Sequence, residues 1–273
     1  MTTSIVREEI PAEVAAWLPS DFVLRHPEHG ATADVALVEG HGTAAQALVI
    51  KRCTRPPYTG WLENEYRALQ ALASAELPIP RAIGLHRESE DLGSPVWLVM
   101  SKLPGTPLWD VVDRASEEER VALFEQLGEL LGRVHATPVP PELPVEEDHS
   151  NWLDRAFRRA ASYVRRHVAM ALPERLARRL RERGEAMPRV LVHGDFTLDN
   201  VLAEDGRVTG IIDWGGASAA DPRWDVTLAL ATEPELHLSA RAVSAFFAGY
   251  RAAPLPEALE AAMAAAYGWD RSA

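Results

Sequence analysis

The chain has 273 residues, of which 47% are hydrophobic and 25% are charged, as in an ordinary globular protein with a sizeable core. Its formal net charge of −12 argues against a nucleic-acid binder, which needs basic surface for phosphates. One cysteine excludes an internal disulfide framework and fits a reducing compartment. We find no secretory signal and no apolar run of membrane-spanning length, so we expect a cytoplasmic protein without nucleic-acid or membrane partners.

The first hundred residues combine a short N-terminal helix with a β-rich stretch. Residues 1–20 have the periodicity of an amphipathic helix, and apolar strands follow from Phe22 onward. One strand ends in Lys51, one of only two lysines in the chain. In the next helix Glu65 falls on the apolar face, where a carboxylate needs a partner. We expect a Lys51–Glu65 pair, although a solvated lysine and a glutamate meeting Arg67 or solvent are the plain alternatives.

The chain changes character near residue 102. Trp97–Gly105 predicts a strand ending in a Pro-Gly connection, which we take as the boundary between lobes 1–102 and 103–273. Beyond it, Ser116 followed by Glu119 is a capping-box signature that predicts a long helix. Helices are also expected within 151–183, which is arginine-dense, and within 236–273, which is alanine-rich.

The most informative segment is LVHGDFTLDNVLAEDGRVTGIIDWGGASAADPRWD, residues 191–225. Asp195 and Asn200 lie five positions apart in a loop, and a hairpin turning at 204–206 carries Asp213 back toward that loop. A carboxylate and an amide oxygen suit Mg²⁺, and a second carboxylate remains as a base. The alternative is local turn chemistry, which Asp and Asn also favour.

This segment resembles the catalytic segment of the aminoglycoside phosphotransferase-like small-molecule kinases, in HGDxxxxN at 193–200 and IIDWG at 211–215. The resemblance implies a bilobal protein-kinase-like α+β fold, with an antiparallel sheet in the small lobe and a mainly helical large lobe. It implies that Asp195 orients the substrate hydroxyl and accepts its proton, and that Asn200 and Asp213 bind Mg²⁺. We expect His193 to brace the loop by hydrogen bonding rather than to titrate.

The resemblance also assigns the nucleotide site. It implies that Lys51, paired with Glu65, binds the α- and β-phosphates of the nucleotide. It places a phosphate-covering loop at 29–34, where Gly30 alone supports that function and an ordinary hairpin turn is the alternative. The family's hinge corresponds to the strand through Met100, after which backbone groups of Ser101 and Leu103 would contact adenine.

The sequence DPRWD matches the family pattern DPxxD. Asp221 reads as a helix N-cap with proline at the first helical position, and Asp225 is expected to brace the catalytic loop. His135 also resembles a family position, but helix-terminal packing explains it better.

The implied reaction transfers the γ-phosphoryl group of ATP, or GTP, to a hydroxyl of a small molecule, with an aminoglycoside or similar antibiotic as acceptor and thus a part in antibiotic resistance. A metabolic kinase of the choline, homoserine or fructosamine type is the alternative, as is a nucleotide-binding module without turnover, because no glycine-rich loop is present. The arginines of 151–183 do not suit a polycationic aminoglycoside, whereas the acidic residues of 142–148 do. These two signals do not resolve the acceptor. A monomer and a homodimer are both compatible with the sequence.

Overall fold

A computed structural model describes residues 4–27, 33–40, 47–56, 58–91, 93–145, 189–230 and 238–250. The chain divides into two compact units: one comprises the chain up to Pro104 together with Ile211–Gly216, and the other comprises Gly105–Gly210 and the chain from Ala217 onward. An antiparallel sheet in the first unit and the helices of the second confirm the expected α+β class. The functions expected for 1–102 and 103–273 stay predictions.

The first unit is built on a five-stranded antiparallel sheet with strand order β1-β2-β3-β5-β4. The strands are β1 (Phe22–Arg25), β2 (Asp34–Gly40), β3 (Leu48–Cys53), β4 (Ala82–Arg87) and β5 (Val96–Ser101). Every residue of β5 is buried, because it lies between β3 and β4. Lys51 lies opposite Val35 on one side and Leu98 on the other.

The N-terminal segment differs from the single helix expected over 1–20. A 3₁₀ turn at Arg7–Glu9 is followed by a short helix α1 (Ala12–Ala15). Pro11 separates them, because it has no backbone N–H to continue the hydrogen-bond pattern. The apolar side chains of the segment nevertheless lie in the core with residues of β2 and β3, as the periodicity indicated.

Helix α2 (Tyr58–Ala71) follows β3 in the first unit. Its buried face includes Leu62, Glu65 and Leu69, which are spaced three and four residues apart as a helix requires. The helix therefore presents one carboxylate among its apolar side chains.

The second unit combines short strands with helices. Its helices are α3 (Leu108–Arg114), α4 (Glu117–Ala136), α5 (Arg223–Leu230) and α6 (Ala240–Gly249). Strands β6 (Thr106–Pro107), β8 (Val201–Glu204) and β9 (Arg207–Ile211) form one sheet, and β7 (Val190–Val192) pairs with β10 (Ser218–Ala220). Among the described residues, no helix is long and apolar enough to cross a membrane. The helices expected within 151–183 and beyond 250 lie outside the described residues.

Two local predictions in this unit are confirmed. Ser116 caps α4 with its Oγ accepting from the Glu119 backbone N–H, while the Glu119 carboxylate accepts from the Ser116 N–H at 2.8 Å. The β8–β9 hairpin turns at Asp205 and Gly206, whose φ values of 49° and 73° are those of a type I′ turn. Gln126 of α4 holds this hairpin, donating to the Gly206 carbonyl and accepting from the Val208 N–H, both at 3.1 Å.

Helices α4 and α6 approach each other through glycines. A Cβ added to Gly128 would lie 1.9 Å from the backbone oxygen of Phe246, and one added to Gly249 would lie 1.9 Å from that of Glu125. Both are backbone atoms that cannot move without the helix. The close packing of α4 against α6 therefore requires glycine, which has no Cβ, at both positions.

We expect Gly128→Ala to destabilise the protein by about 1–3 kcal/mol, because overpacking outweighs the gain of about 1 kcal/mol in helix propensity. Gly60→Ala in α2 is the matched control, since its Cβ would meet nothing within 4 Å, and should be neutral or slightly stabilising. Denaturant unfolding of both variants checks this, and equal stability of the two would contradict the close helix approach.

Candidate active site

The first unit contains a buried ion pair that joins strand β3 to helix α2. The Lys51 ammonium Nζ lies 2.8 Å from both carboxylate oxygens of Glu65 and 3.4 Å from Oδ1 of Asp213. The Glu65 side chain is 1% exposed, whereas that of Asp213 is 42% exposed. The expected pairing of Lys51 with Glu65 is thus present, and Asp213 extends it toward solvent.

The electrostatics of this cluster follow from burial. Burial alone would lower the pKa of Lys51, but the charges of Asp213 and Glu65 outweigh it and raise that pKa above its usual value. Burial raises the pKa of Glu65 to about 7, with Asp213 adding to the rise and Lys51 opposing it. Lys51 therefore keeps its charge, while burial makes the ionised form of Glu65 less favourable than it is in water.

The segment that carries Asp213 is anchored on α2. Asn64 donates from Nδ2 to the Gly215 carbonyl at 3.0 Å, and the Trp214 side chain is fully buried with its Nε1 donating to Ile211 O. Asp213 itself has a φ of 65°, in the left-handed region that Asp tolerates better than most residues. The role of Asn64 was not predicted. The one signal for it in the sequence is that asparagine, a poor helix former, lies within a predicted helix.

The second unit holds the loop that follows β7. Asn200 donates from Nδ2 to the backbone oxygen of Asp195 at 2.8 Å and to its Oδ2 at 3.0 Å. His193 is fully buried and its Nδ1 lies 3.3 Å from the Asp195 backbone N–H, which donates to it. His193 therefore braces the loop, as expected, and Gly194 supplies a φ of 82° that a residue with a Cβ rarely adopts.

Asp225 anchors the same loop from α5. Its fully buried carboxylate accepts from the backbone N–H groups of His193 at 2.6 Å and Gly194 at 2.9 Å. Trp224 adds a hydrogen bond from Nε1 to the Gly194 carbonyl at 2.9 Å. These contacts confirm the bracing expected of Asp225, and Asp221 caps the helix start by accepting from the Arg223 N–H.

His135 hydrogen-bonds to both Asp225 and Tyr250, and neither contact was predicted from the sequence. Its Nε2 lies 3.3 Å from Asp225 Oδ2, and its Nδ1 is hydrogen-bonded to the Tyr250 hydroxyl. If Nε2–H donates to the carboxylate, Nδ1 accepts from the phenol. Burial, with the charges of Asp225 and Asp221, raises the pKa of Tyr250, so the hydroxyl stays a donor. Helix-terminal packing is thus an incomplete account of His135, and residues 115 positions apart left no local signal.

The donor set expected for a cation consists of oxygens. The Asn200 amide nitrogen is committed to Asp195, which leaves its Oδ1 without a hydrogen bond among the described residues. In the first unit, Asp213 presents a half-exposed carboxylate. The described residues contain no cluster of three or more His, Cys, Asp or Glu suited to a metal. Amide and carboxylate oxygens are both ligands that Mg²⁺ accepts, because it keeps several waters and needs few protein groups.

The other residues expected to contact the nucleotide lie at or after the end of β5, or outside the described residues. Met100 and Ser101 end β5, and both are buried, whereas Leu103 follows the strand and is half-buried. Gly30 lies outside the described residues, so the expected phosphate loop stays a prediction. The structure therefore brings Lys51, Glu65 and Asp213 together in one unit, and His193, Asp195 and Asn200 in the other.

These two units define a kinase-like α+β protein. The solved gentamicin complex of APH(2")-IIa matches with a TM-score of 0.69 over 97% of this chain and 86% of that chain, at 17% identity. At that identity the likeness shows the fold alone. Residues 23–268 match the model of the phosphotransferase enzyme family, APH, and the chain belongs to that family.

Two curated relatives come from Streptomyces. The aminoglycoside 3'-phosphotransferase of Streptomyces fradiae is 32% identical over 62% of this chain and 63% of its own. The streptomycin 3''-kinase of Streptomyces griseus is 29% identical over 79% of this chain and 83% of its own. The chain spans 63% or less of the length of the first curated relatives that it matches.

The raised pKa of Glu65 gives a pH-dependent stability. Between its usual 4.5 and about 7, the folded protein holds a proton on Glu65 that the unfolded chain releases. The contribution of Glu65 to the free energy of unfolding therefore falls as pH rises through that range, by up to about 1.4 kcal/mol per pH unit. The difference between wild type and Glu65→Gln, followed by denaturant unfolding from pH 5 to 8, should show this slope and level off above pH 7.

Glu63→Gln controls for the loss of a carboxylate from the same helix, since Glu63 pairs with Arg87 instead. Parallel pH curves for wild type and Glu65→Gln would show that Glu65 has no raised pKa.

We expect Tyr250→Phe to lower the free energy of unfolding by about 1–3 kcal/mol, because it leaves a buried imidazole nitrogen of His135 unsatisfied. Tyr66→Phe is the control, since its hydroxyl makes no hydrogen bond among the described residues. Equal stabilities of the two variants, measured by denaturant unfolding, would remove Tyr250 from the network.

Proposed function

We propose that this chain is a kinase that transfers the γ-phosphoryl group of ATP or GTP to a hydroxyl of a small molecule, and that the acceptor is an aminoglycoside or similar antibiotic. The observation that carries the proposal is the Lys51 ammonium, buried and held by Glu65 with Asp213 beside it. A fixed cation next to a half-exposed carboxylate suits the binding of a metal–polyphosphate complex. Solved complexes of this fold support nucleotide binding, with GDP and kanamycin in one and ADP and hygromycin B in another.

In this proposal Lys51 binds the nucleotide phosphates as a point charge. Glu65 fixes the direction of the ammonium through both of its oxygens. Asp213 and Asn200 Oδ1 would hold Mg²⁺, which when bound offsets the negative charge of the phosphates. The ion pair thus orients a group whose charge would otherwise be free to move with its flexible stem.

Asp195 positions the acceptor. The Asn200 amide fixes its Oδ2 at 3.0 Å, so the carboxylate is presented in one orientation. Asp195 accepts a hydrogen bond from the acceptor hydroxyl and takes its proton as the hydroxyl oxygen bonds to the γ-phosphorus and the bond from that phosphorus to the nucleoside diphosphate breaks. His193, Gly194 and Asp225 act on this step indirectly, since they fix the backbone from which Asp195 projects.

The acceptor class rests on the curated relatives, which are named for aminoglycosides and streptomycin, and on a net charge of −12, which favours cationic ligands at long range. Such an enzyme would act in antibiotic resistance, in the cytoplasm, as a monomer or a homodimer. The test is mass spectrometry of pooled aminoglycosides, other hydroxylated antibiotics, choline, homoserine and fructosamines after incubation with the full chain, Mg²⁺ and ATP or GTP. A phosphorylated aminoglycoside supports the proposal, and a phosphorylated metabolite alone replaces the acceptor class.

We expect Asp195→Asn to lower turnover by about 10²–10⁴-fold, because the amide cannot accept the proton, while Mg²⁺–nucleotide affinity changes little. Asp205→Asn is the matched control, since asparagine suits the type I′ turn that Asp205 occupies. Product formation is followed by mass spectrometry and affinity by calorimetry. Undiminished turnover in Asp195→Asn would exclude Asp195 as the base.

A further inference from the structure

Asp213 lies in a backbone conformation that its surroundings must hold. Its φ of 65° is in the left-handed region, and a residue with a Cβ persists there only when neighbouring groups fix it. The Lys51 ammonium lies 3.4 Å from Asp213 Oδ1 but 2.8 Å from Glu65, so its contact with Asp213 is the weaker restraint. The position of the Asp213 carboxylate therefore depends on how the main chain that follows it is held.

Helix α2 holds that main chain at two successive residues. The Glu65 carboxylate accepts a hydrogen bond from the Trp214 backbone N–H. The preceding residue of the helix, Asn64, donates from Nδ2 to the Gly215 carbonyl at 3.0 Å. An acceptor and a donor that are adjacent on α2 thus match an N–H and a carbonyl that are adjacent in the turn after Asp213.

The orientation of the Asn64 amide is itself fixed. Arg67, three residues further along α2, donates from Nη1 to Asn64 Oδ1 at 3.2 Å. Because the oxygen of an amide accepts and its nitrogen donates, this bond assigns Nδ2 to the Gly215 carbonyl. Asn64 is only 8% exposed, and alanine would be the better helix former at this position. The amide therefore serves the contact with Gly215 rather than helix formation.

The turn also packs closely against α2. A Cβ added to Gly215 would lie 3.1 Å from the backbone oxygen of Trp61, so main chain approaches main chain at this point. Before the turn, the Ile211 N–H donates to the Pro78 carbonyl at 2.9 Å. All of these groups belong to one compact unit, which therefore holds the turn with its own residues.

We propose that Asn64 is a positioning residue for the metal of a metal–nucleotide complex, because it holds the turn that fixes Asp213; this rests on the proposed function. Without the Asn64 hydrogen bond, the Gly215 carbonyl is released from α2, and Asp213 can return to the negative φ that residues with a Cβ prefer. That change moves the carboxylate offered to Mg²⁺. Groups that orient a metal ligand typically change metal affinity by about 10–100-fold, so Asn64 acts on metal affinity without being a ligand.

The first test is calorimetric binding of ATP and of GTP to the full chain, with Mg²⁺ and with EDTA. We expect Asn64→Ala to weaken binding of the Mg²⁺ complexes about tenfold and to change metal-free binding little, since Lys51 and Glu65 stay in place. Gln70→Ala is the matched control, because it removes an exposed amide from the same helix and should match wild type. An equal loss with and without Mg²⁺, or no loss at all, would overturn the inference and leave the proposed function intact. Wild type that binds neither nucleotide would overturn both.

Asn64→Asp tests the hydrogen bond itself at constant side-chain size. It places an oxygen against the Gly215 carbonyl in place of a donor, so we expect the same selective loss of affinity for the Mg²⁺ complexes. A loss of equal size in EDTA would be an effect of the added charge and would overturn the assigned contact, as would wild-type affinity in this variant.

Hydrogen exchange of the protein without nucleotide and metal follows the turn in the absence of any ligand. In Asn64→Ala we expect faster exchange of the amides of 211–216 and unchanged exchange in β3 and β5, because local opening no longer has to break the bond to Gly215. Faster exchange throughout the sheet would show a general loss of stability, and unchanged exchange in 211–216 would show that Asn64 does not hold the turn. Either result would overturn the inference.

Discussion

The cost of burying a carboxylate shapes both units of this protein. Glu65 and Asp225 are almost completely excluded from solvent, and a buried charge persists only when it is paired or hydrogen-bonded. The first unit compensates Glu65 with the Lys51 ammonium at 2.8 Å. The second compensates Asp225 with two backbone N–H groups and an imidazole. One solution orients a cation, and the other fixes a loop.

The two solutions have different consequences. An ammonium held by both oxygens of Glu65 keeps its charge, since the neighbouring carboxylates raise the pKa of Lys51. Backbone N–H groups held by Asp225 constrain the path of the chain, and Gly194 with a φ of 82° is the residue that makes this path sterically cheap. Asp195 projects from this constrained backbone, and Asn200 adds its own hydrogen bond to the Asp195 carbonyl. The orientation of Asp195 thus depends on groups from α5 as well as on its neighbour in the loop.

The sequence predicted those features whose causes are local. The α4 capping box, the periodicity of α2, the type I′ hairpin and the strands of the sheet each depend on residues a few positions apart. The Lys51–Glu65 pair was also predictable, because an isolated carboxylate on an apolar helix face demands a cation. The contact of His135 with Tyr250 and that of Asn64 with Gly215 join residues 115 and 151 positions apart. Periodicity carries no information on such contacts, so neither was found.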